Sequence, residues 1–165
     1  VKGIQSQGVV STMKHYGIYA ANQGAREGLA RVNPRCSPRE AEMIHLWPFE
    51  RVIREANPLG VMSSYNEVDG VASTGSHYLF TDILRRQWGF NGFVVSDLFA
   101  IRGLIEHGVA GDKNEAALKA LTAGVDADLG ASPGIIVLPP SGSWTGMSQI
   151  VLSTDRTLLM GNATY

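Results

Sequence analysis

Three short apolar runs in this chain end in the same way, and that repetition narrows the folds open to it. Val9-Val10-Ser11-Thr12-Met13 runs into Lys14-His15, Val61-Met62-Ser63-Ser64 into Tyr65-Asn66, and Phe93-Val94-Val95 into Ser96-Asp97. Short, β-rich apolar runs of this kind are buried on both faces of a parallel sheet. Polar groups at the C-terminal ends of successive parallel strands converge on one rim, where α/β folds hold their chemistry. Asp97 alone could instead cap the helical pattern that begins two or three residues later. Capping does not explain three such strand ends.

Helical patterns lie between the runs. Ser37-Pro38-Arg39-Glu40 reads as a capping box with proline at the first helical position. Pro48 is expected to interrupt that helix, leaving a second piece from Phe49 to Ala56. Asn57-Pro58-Leu59-Gly60, Asp69-Gly70 and Asn91-Gly92 are turn sequences. A helix is expected from Ser76 to Gln87, with Leu79, Phe80, Ile83, Leu84 and Trp88 on one stripe. A short helix carries Ile101, Leu104 and Ile105 and stops at Gly108, and Asp112 to Glu115 opens another that stops at Gly124. Val125 to Leu129 could be a fourth strand. Strand starts near Gly8, Val61, Phe93 and Val125 are about 30–50 residues apart, the spacing of βα units. Two architectures satisfy this: an open doubly wound sheet, or about half of a (β/α)₈ barrel, which in full needs about 250 residues.

Composition adds exclusions. The chain has 165 residues, 44% hydrophobic and 18% charged, with a formal net charge of -1. That balance fits a globular core and points to neither a nucleic-acid nor a membrane partner. No stretch of eighteen apolar residues offers a transmembrane helix. Cys36 is the only cysteine, so an internal disulfide is excluded, and no metal-ligand spacing stands out. His45, His77 and His107 read as structural or solvated. The chain starts at Val1 without a signal pattern, and it is expected to be a piece of a longer protein whose compartment stays open, a periplasmic or secreted one included.

Read together, Lys14-His15-Tyr16, then Val61 to Gly70 (VMSSYNEVDG), then Gly89 to Asp97 (GFNGFVVSD) resemble glycoside hydrolase family 3, the β-glucosidase and β-xylosidase branch. The likeness covers roughly residues 7–129. It implies that residues 1–130 are part of a (β/α)₈ barrel domain, and that 131–165 form a divergent tail. It also implies a retaining β-glycosidase that releases a non-reducing-end sugar from a β-linked oligosaccharide or glycoside, without a cofactor or metal. Carried over by motif, Asp97 is the nucleophile, Lys14 and His15 grip sugar hydroxyls, and Met62 and Tyr65 line the first sugar subsite. General chemistry agrees: a retaining glycosidase needs an ionised carboxylate at the anomeric carbon. Each also has a plain structural reading: Lys14 as a surface cation, His15 as a packed rim residue, Met62 as core filler, Tyr65 as a buried ring with its hydroxyl satisfied.

The chain departs from the family in places. Leu98 stands where many members have a tryptophan beside the nucleophile. The segment from Gly17 to Cys36 holds neither His nor Asp, unlike the hexosaminidase branch, so the acid/base is expected to be a Glu from a second domain that this chain lacks. Glu67 and Glu27 are weaker local substitutes. The fragment alone is therefore expected to be inactive. Between Ala131 and Tyr165 only Asp155 and Arg156 are charged, and no family-like helix can be read there. Two rival readings remain open: a Schiff-base barrel lyase acting through Lys14, and a non-catalytic sugar-binding remnant.

Overall fold

The computed structural model describes residues 1–19 and 33–130, together with the backbone of two short strands further on. The chain opens with one helical turn, α1 (Lys2–Gln5), which the sequence does not announce. Gln5 ties it to the rest: its amide donates to the Asn57 carbonyl at 3.1 Å, and its Oε1 accepts from the Leu59 N–H at 2.9 Å. The first strand is short, β1 (Thr12–Met13).

Ser37 caps the next helix as expected, its hydroxyl accepting from the Glu40 N–H at 3.2 Å. Pro48 does not interrupt it. The helix passes from α2 (Pro38–Glu40) through a wide π-helical stretch, Ala41–Leu46, into α3 (Trp47–Ala56). Pro48 is the second residue of α3, a first-turn position where its missing N–H leaves no α-helical bond unmade. Asn57 ends α3 in the left-handed region, and the buried Pro58 prevents continuation.

β2 (Gly60–Met62) follows, then a hairpin of β3 (Glu67–Val68) and β4 (Val71–Ala72). Asp69 and Gly70 both have positive φ, as a tight hairpin turn requires. The helix expected over 76–87 is present as Tyr78–Gln87, again π-helical, after a 3₁₀ turn at Ser73–Gly75. β5 (Phe93–Val95), α4 (Ala100–Glu106) and α5 (Lys113–Ala123) complete the described core. Asp112 caps α5 through the Asn114 and Glu115 N–H groups, and Gly124 closes it at φ 111°. The expected fourth strand is reduced to one parallel bridge, Val95 to Ala127.

The sheet order is β1-β2-β5, parallel throughout, with Thr12 opposite Gly60, Gly60 opposite Phe93 and Met62 opposite Val95. Helices joined to a parallel sheet agree with the α/β expectation. The expected divergent tail falls outside the described residues, except that β6 (Ile135–Ile136) pairs in parallel with β7 (Leu158–Leu159). Among the described residues no helix is long and apolar enough to cross a membrane.

The core lies between the sheet and its helices. Val61 and Val94 from the strands meet Phe80, Leu84, Leu104 and the Tyr16 ring, all with 0% exposure. Burying one such side chain contributes about 1.5–3 kcal/mol. An exposed helix pair such as Arg86–Asp82 contributes about 0.3–0.5 kcal/mol. Apolar burial therefore holds the layers together, and the ion pairs decorate them.

The register depends on two glycines. A Cβ on Gly60 would stand 2.5 Å from Thr12 Oγ1 and 3.1 Å from the Phe93 ring. A Cβ on Gly92 would stand 2.2 Å from the Leu59 carbonyl oxygen, where backbone cannot give way. Gly92→Ala should therefore destabilise the fold by about 2–3 kcal/mol, at the upper end of overpacking costs. Denaturant unfolding checks this against Gly3→Ala, which meets no atom within 4 Å in α1. The helix-favouring Gly3→Ala change should be neutral or slightly stabilising.

Candidate active site

β5 delivers Asp97 to the rim, and its neighbours hold the backbone there. Ser96 is fully buried. Its N–H donates to the Ala127 carbonyl at 2.8 Å, and its hydroxyl donates to Asp128 Oδ1 at 2.9 Å while accepting from the Leu129 N–H. The Asp97 N–H donates to the hydroxyl of Ser63, a fully buried residue just past the end of β2. That hydroxyl shares a 2.8 Å hydrogen bond with Thr74, which donates in turn to the Ser64 carbonyl. Ser64 donates to the Tyr16 carbonyl at 3.0 Å, and the Asn66 amide donates to the Gly17 carbonyl at 2.8 Å. A chain of buried hydroxyls and amides thus ties all three strand ends together.

The capping explanation of Asp97 fails. The N-cap of α4 is Phe99, with φ 61°, and no side chain caps that helix. Asp97 Oδ1 accepts from the Leu98 N–H at 2.7 Å, and Oδ2 lies 3.1 Å from His15 Nε2. The Asp97 side chain is 14% exposed and that of His15 23%, so the pair is sheltered yet reachable.

The structure brings His15, Tyr65 and Asp97 together. The Lys14–His15 peptide bond is cis. The next residue, Tyr16, is anchored in the core by its hydroxyl, which donates to the Leu79 carbonyl at 3.0 Å, and burial pushes its phenol far up from its ordinary value. The Tyr19 ring meets His15 edge-on at 4.7 Å between centroids and stands 6.1 Å from the Tyr65 ring. The Tyr65 hydroxyl donates to the Leu98 carbonyl at 2.8 Å. Burial, followed by the nearby Asp97 carboxylate and then Tyr19, pushes the Tyr65 phenol up to about 12. Met62 ends β2 opposite Val95 and is partly buried. Lys14 is exposed, and no carboxylate among the described residues pairs with it.

Several neighbours escape a reading by strand ends alone. Ser63, Ser64 and Thr74 bear on the site through buried hydroxyls, and the usable signal was a Ser-Ser pair inside an otherwise apolar run. The histidines read as structural or solvated all have polar neighbours. His77 Nδ1 lies 3.2 Å from Asp82 Oδ2. The ligand atoms of His45, Cys36 and Glu40 lie within 4.8 Å of one another, but burial and then the Glu40 carboxylate raise the Cys36 thiol, which works against a thiolate ligand. His107 bonds Glu67 and the Tyr65 carbonyl, so Glu67 is no solvated turn residue. Glu27 lies outside the described residues.

The other carboxylates near β5 are committed elsewhere. Asp126 Oδ2 accepts from Arg85 at 2.5 Å and from the Val94 N–H at 2.7 Å. Its pKa is nonetheless raised, because burial outweighs the arginine. Asp128 Oδ1 accepts from Ser96 and from the Gly130 N–H. Two cavities of ≈ 450 and ≈ 460 Å³ lie around Val71 and His77, and Asp97 lines neither.

The family profile of the glycosyl hydrolase family 3 N-terminal domain matches residues 1–141. This chain belongs to that family. The resemblance drawn from its three motifs is borne out. An exo-α-(1→6)-L-arabinopyranosidase of Bifidobacterium longum is 44% identical over 97 residues, 59% of this chain and 12% of its own length. β-Glucosidase B of Emericella nidulans is 42% identical over 97 residues, 59% of the chain and 11% of its own length. A β-glucosidase from Listeria innocua solved with glucose superposes with a TM-score of 0.71 at 30% identity, covering 80% of this chain and 19% of that one. The family 3 chain thus spans about an eighth of the length of these curated relatives.

The Tyr65 environment is directly measurable. An ultraviolet difference titration of wild type against Tyr65→Phe should show one phenol ionising near pH 12 instead of the ordinary 10.0. A folded-state value raised above the unfolded one means that the stability from the neutral phenol is complete below about pH 10 and is lost as pH rises toward 12. A midpoint near 10 would place Tyr65 in open solvent.

Proposed function

We propose that this chain is the portion of a family 3 barrel domain that carries the nucleophile of a retaining, exo-acting glycosidase of β-glucosidase type. One observation carries the reading: Asp97 is a sheltered carboxylate at a parallel strand end, paired with His15 at 3.1 Å. The curated relatives include β-glucosidases and an arabinopyranosidase, and this supports a pyranoside at that rim. We take the three-stranded sheet as part of the (β/α)₈ barrel, residues 1–130 as its share of that domain, and 131–165 as a divergent tail.

In the proposed reaction, Asp97 Oδ2 attacks the anomeric carbon and forms a glycosyl ester while the glycosidic C–O bond breaks. The leaving oxygen takes a proton from a carboxylic acid. Water, deprotonated by the same acid/base, then cleaves the ester and regenerates Asp97. His15 holds the attacking oxygen and a sugar hydroxyl, Lys14 donates to hydroxyls from the open side, and Met62 and Tyr65 form the wall of the first subsite. A retaining pair needs its carboxyl groups about 5–5.5 Å apart. The family resemblance implies a Glu of a second domain as the acid/base, and the engagement of Glu67, Asp126 and Asp128 in other bonds is consistent with it. The Schiff-base alternative is favoured by a lysine desolvated in an apolar pocket, and Lys14 is exposed.

A 2-fluoro glycoside with an activated leaving group should label Asp97 in the full-length enzyme, as read by peptide mass spectrometry. Asp97→Ala should lose several orders of magnitude in turnover. Label on Asp69, Asp126 or Asp128 would refute the assignment.

His15→Ala should weaken transition-state binding by about 2–4 kcal/mol, the scale of a lost oriented or charged hydrogen bond. Its melting temperature should barely move, and normal kinetics with a large stability loss would make His15 structural. The 165-residue chain on its own should not hydrolyse cellobiose, and robust turnover would mean that it contains its own acid.

A further inference from the structure

His107 lies outside the rim, yet its contacts lead back to it. It follows α4, and its side chain is 6% exposed. Nε2 lies 2.8 Å from the Tyr65 carbonyl oxygen, and Nδ1 lies 3.0 Å from Glu67 Oε1. A carbonyl only accepts, so Nε2 carries a proton and donates it to Tyr65. Both contacts fall on the segment that leads from β2 into the hairpin, the segment whose Tyr65 hydroxyl reaches the Leu98 carbonyl. The path closes on itself: Asp97 and Leu98 lead into α4, α4 leads to His107, His107 bonds the Tyr65 backbone, and the Tyr65 hydroxyl returns to Leu98. α4 and the Tyr65 segment are thereby locked to each other at both ends, one at the rim and one about 10 Å away along the helix axis, at 1.5 Å per residue.

We propose that His107 is a positioning residue for the Asp97 site: it fixes the main chain at Tyr65, and so the attitude of the Tyr65 ring beside Asp97, with Glu67 holding the imidazole in orientation. The inference deepens the glycosidase reading of Asp97 and rests on it for its kinetic consequence. A purely packing role would need only the volume of the ring. The positioning role needs a donor at the Nε2 position, and this difference can be tested. The amide nitrogen of glutamine reaches the place of Nε2, whereas that of asparagine reaches only the place of Nδ1.

In the full-length enzyme, His107→Ala should lower kcat/KM for an aryl β-glucoside by about 10- to 100-fold, inside the range of couplings between contacting residues. His107→Gln should restore most of that loss, and His107→Asn should resemble alanine. In a Tyr65→Ala background, His107→Ala should add little, because its effect passes through Tyr65. A second readout requires no catalysis: the Tyr65 titration should fall from about 12 toward 10 in His107→Ala and stay high in His107→Gln. Equal losses for Gln and Ala, an undiminished loss in the Tyr65→Ala background, or a Tyr65 titration unmoved by His107→Ala would each overturn the proposal. Absence of glycoside turnover in the wild-type enzyme would instead count against the glycosidase reading, and the titration would then decide the role of His107 by itself.

Discussion

The contact on which the rest depends is the close passage of β2 between its two neighbours. At Gly60 the strands run so near that a single methyl group would meet Thr12 on one side and Phe93 on the other. Parallel strands aligned in this way end at the same level, because each residue is paired to a fixed partner. Met62 stands opposite Val95, so the residues that follow β2 and β5 emerge side by side. His15, Tyr65 and Asp97 reach one rim for that reason. A slip of one residue would send each side chain to the opposite face of the sheet.

Holding polar groups at such a rim is costly unless they are satisfied. An unpaired buried donor or acceptor costs about 1–3 kcal/mol. Among the described residues the buried polar ones, Ser63, Ser64, Asn66, Ser73, Thr74, Ser76 and Ser96, meet that demand largely from one another and from nearby backbone groups. Asn66 Oδ1 is the exception, without a partner among the described residues. The network makes the rim rigid in a way that apolar packing would not, since hydroxyl-to-carbonyl bonds fix direction as well as distance. It also explains why a run as polar as Ser63-Ser64-Tyr65-Asn66 can follow directly on a buried strand.

Much of this arrangement was legible in the sequence, and the illegible parts have physical causes. Strand cores, helix caps at Ser37 and Asp112, and the stops at Gly108 and Gly124 follow from local chemistry, and local chemistry is what a sequence displays. Pro48 misled because a proline within a helical pattern ordinarily breaks it, whereas here a π-helical turn upstream makes it a first-turn residue. Strand lengths were overstated: Gly8 to His15 reads as a full strand, but only Thr12 and Met13 find a partner in β2. The link between His107 and Glu67 joins residues forty positions apart. No periodicity reports such a pair, and only the folded chain shows that a helix end and a hairpin meet.

The proposed function makes Asp97, among several carboxylates, the reactive one, and the bonds of its neighbours bear on that choice. Asp126 spends an oxygen on Arg85 and the Val94 amide, which makes it a clamp between β5 and the segment after α5. Asp128 is bonded to Ser96 and to the Gly130 N–H, closing the turn that follows. In both, a single oxygen takes the backbone N–H and the side-chain donor together. Asp97 differs in kind. Its Oδ1 is fixed by the amide of the adjacent Leu98, which orients the carboxylate, while Oδ2 faces the side chain of His15 on another strand. A side-chain partner can turn toward an incoming hydroxyl and leave Oδ2 free to attack. Orientation by backbone on one oxygen and a side-chain partner on the other suits the nucleophilic role proposed for Asp97, and among these three only Asp97 divides the two between its oxygens.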